Sequence, residues 1–161
     1  MNDPLEPDHE GHLRALVEGG VEFVLIGGLA VSALGAPRAT LDTDIVAAPE
    51  PANLGRLSAV LKDLDATVLG APLELGDATS IEVLSSAPNA RYDTRLGLLH
   101  VVQSPDGAPA YPELYEASLE VPLGQGLEVR VCSYEHLVAM KTASDRAQDR
   151  ADLERLRDAR G

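Results

Sequence analysis

The run Val21-Glu22-Phe23-Val24-Leu25-Ile26 is apolar, β-branched and short, and it ends abruptly at Gly27-Gly28. This junction constrains the fold more than any other stretch. A run of that length and composition is a buried strand. The diglycine lets the backbone approach a ligand closely and opens a short helix, Leu29 to Leu34, whose free amide groups favour a phosphate. Gly35-Ala36-Pro37 breaks that helix, and Thr40 to Ala47 reads as a second strand. On it Asp42 and Asp44 are one residue apart, so both side chains leave the same face and can share a divalent cation through oxygen ligands. Arg38 stands close enough in sequence to contact the same phosphates or to pair with one of the two aspartates.

The flanking segments complete an α/β pattern. Leu13, Leu16 and Val17 have helical spacing in a helix from His12 to Glu18, which stops at Gly19-Gly20. Leu54, Leu57, Val60, Leu61 and Leu64 mark an amphipathic helix from Pro51 to Leu64. Residues 66–79 are rich in Gly, Pro and Asp and read as an irregular excursion, a lid or a surface loop. Ser80 to Leu84 reads as a short strand, and Arg91–Thr94 with Leu98–Gln103 as a hairpin turning at Gly97. Tyr111–Ser118 is a short helix, and residues 119–123 and 127–131 alternate with period two across Gly124-Gln125-Gly126, a second hairpin. Ser133 caps a helix through Ala143, and a charged helix runs from Gln148 to Ala159. The order predicts one domain over residues 1–161, with 1–10 a flexible N-terminus, built on a small mixed sheet with helices mainly on one face and added hairpins.

Composition narrows the function. With 13 Lys+Arg against 26 Asp+Glu the formal net charge is −13, so the summed field repels phosphate polymers and general DNA binding is disfavoured. Aromatic residues are 3% of the chain, too few for the stacking platforms that hold single strands. The lone Cys132 lies in an apolar run and reads as a small buried side chain in a reducing, cytoplasmic protein. No apolar stretch reaches bilayer length and the first residues carry no apolar leader. His9, His12 and His136 show no metal-ligand spacing and are expected to face solvent.

The order strand, Gly27-Gly28, thirteen intervening residues and Asp42-Thr43-Asp44 resembles the nucleotidyltransferase superfamily with the polymerase-beta-like fold. Arg38-Ala39-Thr40-Leu41-Asp42 is similar to the Arg-x-Thr-x-Asp of the AbiEii and MenT-like toxin group. In that group a helix presents a lysine before Arg-x-x-Asp, as Lys141, Arg146 and Asp149 do here. The resemblance spans roughly residues 21 to 156. It implies Asp42 and Asp44 as catalytic metal ligands for Mg²⁺ or Mn²⁺. Gly27, Gly28, Arg38, Thr40 and Lys141 would hold the nucleoside triphosphate, with Lys141 also catalytic, while Asp149 fixes the lysine helix or Arg146. Without the resemblance Lys141 is simply a helix-end cation and Arg146 with Asp149 an i,i+3 pair.

Metal-dependent relatives carry a third carboxylate on a later strand, and the corresponding position here is His100. An imidazole can bind a metal or accept a proton but brings no negative charge to a magnesium site. Glu82 and Asp93 are the alternative third acids. The segment from Lys141 onward holds 6 of the 13 basic residues, interleaved with acids, and reads as a solvated, ion-paired helix or one edge of an RNA-facing surface. The reading is a nucleotidyltransferase that takes NTP with Mg²⁺ and transfers a nucleotidyl group to a hydroxyl of RNA or protein, as a toxin paired with an antitoxin and with tRNA as one acceptor. The alternative is a degenerate member that binds a nucleotide or a partner without catalysis.

Overall fold

The computed structural model describes residues 6–70 and 77–161. Among these, helix α1 (His9–Glu18) starts where Asp8 accepts a hydrogen bond from the Gly11 amide at 2.8 Å, inside the stretch expected to be a loose terminus. It buries His12, Leu13 and Leu16 and ends at Gly19. Strand β1 (Phe23–Ile26) is buried at every position. Helix α2 (Gly27–Ala33) follows without a linker, so the diglycine forms its first turn. Strand β2 (Asp42–Ala47) returns antiparallel to β1, opposing Ile26 to Asp44.

Helix α3 (Pro51–Asp63) places proline at its start, where the missing amide costs nothing, and buries Leu54, Leu57, Val60 and Leu61. Strand β3 (Thr67–Val68) emerges from the segment expected to be irregular. The centre of that segment, residues 71–76, lies outside the described residues, and with it the question of a lid. Its far end is pinned: Asp77 accepts from the amide and hydroxyl of Thr79, and the Tyr92 hydroxyl donates to the Ala78 carbonyl at 2.7 Å.

Residues 80–84 form no strand. Ser80 caps helix α4 (Ile81–Ser86), its hydroxyl accepting from the Val83 amide, and the helix packs on α3 with Leu84 buried. The β-branched Ile81 and Val83 suggest a strand locally, but the cap and the neighbouring helix decide the outcome. Strands β4 (Asn89–Thr94) and β5 (Gly97–Val102) make the expected hairpin. Helix α5 (Tyr111–Ala117) leads to strands β6 (Leu119–Pro122) and β7 (Glu128–Val131), the second hairpin. Helix α6 (Tyr134–Ser144) is capped by Ser133, and α7 (Ala147–Arg160) closes the chain.

The strands form one mixed sheet in the order β3-β4-β5-β2-β1-β7-β6. Two contacts in it are parallel, β2 with β5 and β1 with β7, and the others antiparallel. The core is a leucine, valine and isoleucine cluster with Phe23 and the fully buried Tyr92, which the scarcity of aromatics requires. Cys132 is buried there, and burial pushes its thiol up to about 12, which favours the protonated thiol.

Candidate active site

The sheet register assembles an acidic cluster. Asp44 opposes Ile26 on β1 and His100 on β5, so the aspartate leaves the sheet between the diglycine turn and the histidine. One ligand atom each from Asp42, Asp44 and His100 lies within 4.8 Å of the others. The His100 Nδ1 is 3.0 Å from Asp44 Oδ1 and its Nε2 3.0 Å from Asn89 Oδ1. Arg91, opposite His100 on β4, pairs its guanidinium with Asp42 at 3.3 Å. The sequence gives no local sign of Arg91 or Asn89, because both reach the cluster through the hairpin. Glu82 and Asp93 do not join it: Glu82 is on α4, and Asp93 is exposed on β4.

The diglycine is explained by packing as much as by any ligand. Gly27 has φ +71°, and a side chain there would collide with the Asp44 carboxylate. A methyl group on Gly28 would come within 2.8 Å of the Arg38 guanidinium and 2.9 Å of the Thr40 hydroxyl. The two glycines therefore let α2 start against the acidic strand.

A second charged cluster stands across the same cleft. Asp152 on α7 receives Arg38 through both oxygens, from Nε at 2.6 Å and Nη2 at 2.9 Å, and also the Lys141 ammonium at 2.9 Å. Asp149 takes Lys141 at 3.2 Å on one oxygen, and on the other the amide and guanidinium of Arg146 at 3.0 and 2.9 Å. Arg38 thus pairs with an aspartate far along the chain and with neither Asp42 nor Asp44. Lys141 is no mere helix-end cation, since it is buried between two carboxylates. Burial alone would raise Asp149, but hydrogen bonds from Arg146, Ser144 and Lys141 outweigh it and hold the carboxyl well below its usual range. Asp152 is lowered in the same way, burial being overcome by Arg38 and Lys141. Its hydrogen bond to Asp149 raises Arg146.

Both clusters line one cleft of about 1290 Å³. Gly27, Gly28, Arg38, Thr40, Asp42, Asp44, His100, Lys141, Arg146 and Asp149 all contribute to its wall. Asp152, which organises one side of it, reads in the sequence as one acid of a solvated, ion-paired helix, yet it is fully buried one turn on from Asp149 along the same helix face.

The histidines depart from expectation. His12 is fully buried, not solvated, with Nδ1 2.9 Å from the Thr43 hydroxyl and Nε2 2.8 Å from that of Thr94. His9 is half-buried, with Nδ1 2.8 Å from Thr43 Oγ1 and Nε2 2.9 Å from the Thr40 carbonyl. His136 is half-buried, and its Nδ1 is enclosed. The local sequence of α1 looks polar, and only the strand against it makes its histidines interior.

No protein-family model matches the chain, and no curated protein is similar to it in sequence. Solved structures are similar in fold. The lincosamide antibiotic adenylyltransferase LnuA with lincomycin bound has a TM-score of 0.64 at 15% identity, over 96% of this chain and 98% of that one. The antibiotic-resistance factor ANT(2'')-Ia gives 0.58 at 21% identity, over 93% of this chain and 79% of that one. An antigenic nucleotidyltransferase-like protein from Paracoccidioides brasiliensis gives 0.60 at 15% identity, over 98% of this chain and 78% of that one. At these identities what is shared is the arrangement of strands and helices: this chain has a nucleotidyltransferase fold.

Proposed function

We propose that the protein transfers a nucleotidyl group from a nucleoside triphosphate to a hydroxyl of an acceptor bound in the same cleft, the acceptor oxygen bonding to the α-phosphorus as pyrophosphate leaves. The supporting observation is the convergence of Asp42, Asp44 and His100 on adjacent strands, beside the diglycine turn, at the wall of a cleft large enough for a nucleotide and a second small molecule. Two carboxylate oxygens with one imidazole nitrogen fit a divalent cation. The nitrogen shifts the preference from Mg²⁺ toward Mn²⁺. Asp42 and Asp44 would hold the ion, which when bound neutralises triphosphate charge and polarises the phosphoryl group.

The chain's own residues divide the remaining work. Gly27, Gly28 and Thr40 form the wall against the nucleotide. Arg91 and Arg146 carry exposed guanidinium groups at the cleft that can turn to phosphate oxygens. Lys141 gives two of its three ammonium hydrogens to Asp149 and Asp152, which leaves one for a phosphate. Arg38 stiffens the loop beneath Thr40. His100, at the position of the third acid, would complete the ligand set through Nδ1 while its Nε2 donates to Asn89 Oδ1.

A small hydroxylated molecule is the acceptor class this reading favours. Two of the similar structures act on antibiotics by their own descriptions, and the adenylyltransferase with lincomycin is matched over 98% of its length by this chain. A net charge of −13 opposes a tRNA. The toxin reading, with an antitoxin partner and a protein or tRNA acceptor, rests on the Arg38–Asp42 and Lys141–Asp149 motifs alone. No helix among the described residues is long and apolar enough to cross a membrane, and the reduced Cys132 agrees with a cytoplasmic site where nucleotides are abundant.

The catalytically silent alternative is favoured by one observation: the two acids are already paired, Asp42 with Arg91 and Asp44 with His100. Thermal unfolding with each NTP, with and without Mn²⁺ or Mg²⁺, separates the readings together with labelled-nucleotide transfer to a panel of hydroxylated acceptors. A metal-dependent stabilisation lost in Asp42→Ala/Asp44→Ala, with label transfer, supports the enzyme. Stabilisation without transfer to any acceptor supports a nucleotide binder, and no stabilisation overturns both nucleotide readings in favour of a fold kept for binding a partner.

A further inference from the structure

Behind the acidic strand, on its other face, five short contacts run in a line. The Thr94 hydroxyl meets the Gly97 carbonyl at 2.8 Å, His12 Nε2 meets Thr94 Oγ1 at 2.8 Å, and His12 Nδ1 meets Thr43 Oγ1 at 2.9 Å. His9 Nδ1 then meets the same Thr43 Oγ1 at 2.8 Å, and His9 Nε2 meets the Thr40 carbonyl at 2.9 Å. Both ends of the line are carbonyl oxygens, which only accept.

Hydrogens can be counted along it. The Thr94 hydrogen is spent on Gly97, and its oxygen also accepts from the Leu96 amide at 3.1 Å, so His12 Nε2 must carry a hydrogen and donate. At the other end His9 Nε2 must carry one to meet Thr40. Thr43 owns a single hydrogen and serves one ring; the other ring has to donate from Nδ1 while its Nε2 is already protonated. With both rings neutral the line has four hydrogens for five contacts.

We propose that His9 and His12 are positioning residues of the acidic site, joined through Thr43 in a hydrogen-bonded chain that closes only when one ring, that of His9, is doubly protonated. The chain ties α1 to the residue between Asp42 and Asp44 and to the carbonyl of Thr40, and so sets the strand from which the two carboxylates project. His12 is the ring that stays neutral: burial first, and the neighbouring His9 second, bring it down to about 4. His9 is the half-buried member and lines the cleft. The charged groups about the pair are Asp8 at the cap of α1, Glu6 and Arg38 at the cleft wall, and Asp42 and Asp44 on the opposite face of β2; from the β4–β5 turn come Thr94, Leu96 and Gly97, while the Arg95 guanidinium is turned to the Asp63 carbonyl. Buried polar chains of this kind specify geometry when every member is satisfied.

The positioning role rests on the metal reading, whereas the protonated chain does not. The test is histidine-ring nitrogen NMR on the full chain near neutral pH, followed by Mn²⁺ titration, for the natural protein, Thr43→Val and Thr43→Ser. The expected result is a doubly protonated His9 beside a neutral His12 with its hydrogen on Nε2. In Thr43→Val that signature disappears and Mn²⁺ affinity falls about tenfold, the low end for outer partners of metal ligands, while Thr43→Ser keeps both. If Thr43→Val does not fold, Thr94→Val interrupts the chain from its other end. Two neutral rings in the natural protein overturn the chain, and Mn²⁺ affinity unchanged in the valine variant overturns the positioning role. Absence of Mn²⁺ binding in the natural protein overturns the metal reading and the positioning role with it, and the ring signature then still decides the chain.

Discussion

The two walls of the cleft treat their carboxylates in opposite ways. On the sheet side Asp42 and Asp44 are 22% and 16% exposed, and the partner of Asp42, Arg91, is 48% exposed. On the helix side Asp149 and Asp152 are 1% and 0% exposed and their partner Lys141 8%. Exposed pairs hold by at most about 1 kcal/mol and exchange partners readily. A buried carboxylate with two cations on it is part of the structure, because removing either partner leaves an uncompensated charge. The contrast separates a site that can accept a ligand from the frame that holds it.

The largest effect expected from breaking the contrast is at Asp152. Asp152→Ala leaves Arg38 and Lys141 without their shared partner and should cost about 3–5 kcal/mol in denaturant unfolding. Asp42→Ala/Asp44→Ala should leave unfolding within about 1 kcal/mol of the natural protein while lowering nucleotidyl transfer about a thousandfold, the worth of several kcal/mol of charge stabilisation. Comparable instability in both variants would erase the distinction between the walls.

Lys141→Met sharpens it further. A lowered melting temperature with unchanged KM for the triphosphate assigns Lys141 to the frame. A raised KM with the melting temperature preserved moves it to the ligand wall.

Acid distinguishes the regions by window. His12 binds its second proton more weakly folded than unfolded, so its contribution to stability is complete above pH 6.5 and declines as pH falls toward about 4. Asp149 and Asp152 are lowered by folding, so their contribution is present above the ordinary carboxylate range and is lost only as pH falls below it. Melting temperature followed from pH 7 downward should therefore fall in two stages, and Thr43→Val should blunt the first. The smallest expected effect is at Arg91: removing an exposed pair in Arg91→Ala changes stability by under about 1 kcal/mol. It should tighten Mn²⁺ binding slightly by freeing Asp42.

Much of this was legible in the chain. Strand alternation puts Asp42 and Asp44 on one face whatever lies around them, and the Ser133 and Pro51 signals locate two helices to within a residue or so. The α4 segment was misread because Ile81 and Val83 have strand propensity and the deciding contact, with α3, is not local. His9 and His12 were misread for a related reason. A histidine on a short polar helix is solvated unless something covers it, and what covers these is Thr43, more than thirty residues on.

Sequence by itself determined most of the elements and the shared face of the two acids, since each depends on backbone periodicity. Tertiary structure alone decided that His100 meets Asp44 across 56 residues and that Arg38 meets Asp152 across 114. Those partners are chosen by strand register and helix packing. Both are properties of the whole buried core, so no local pattern announces them.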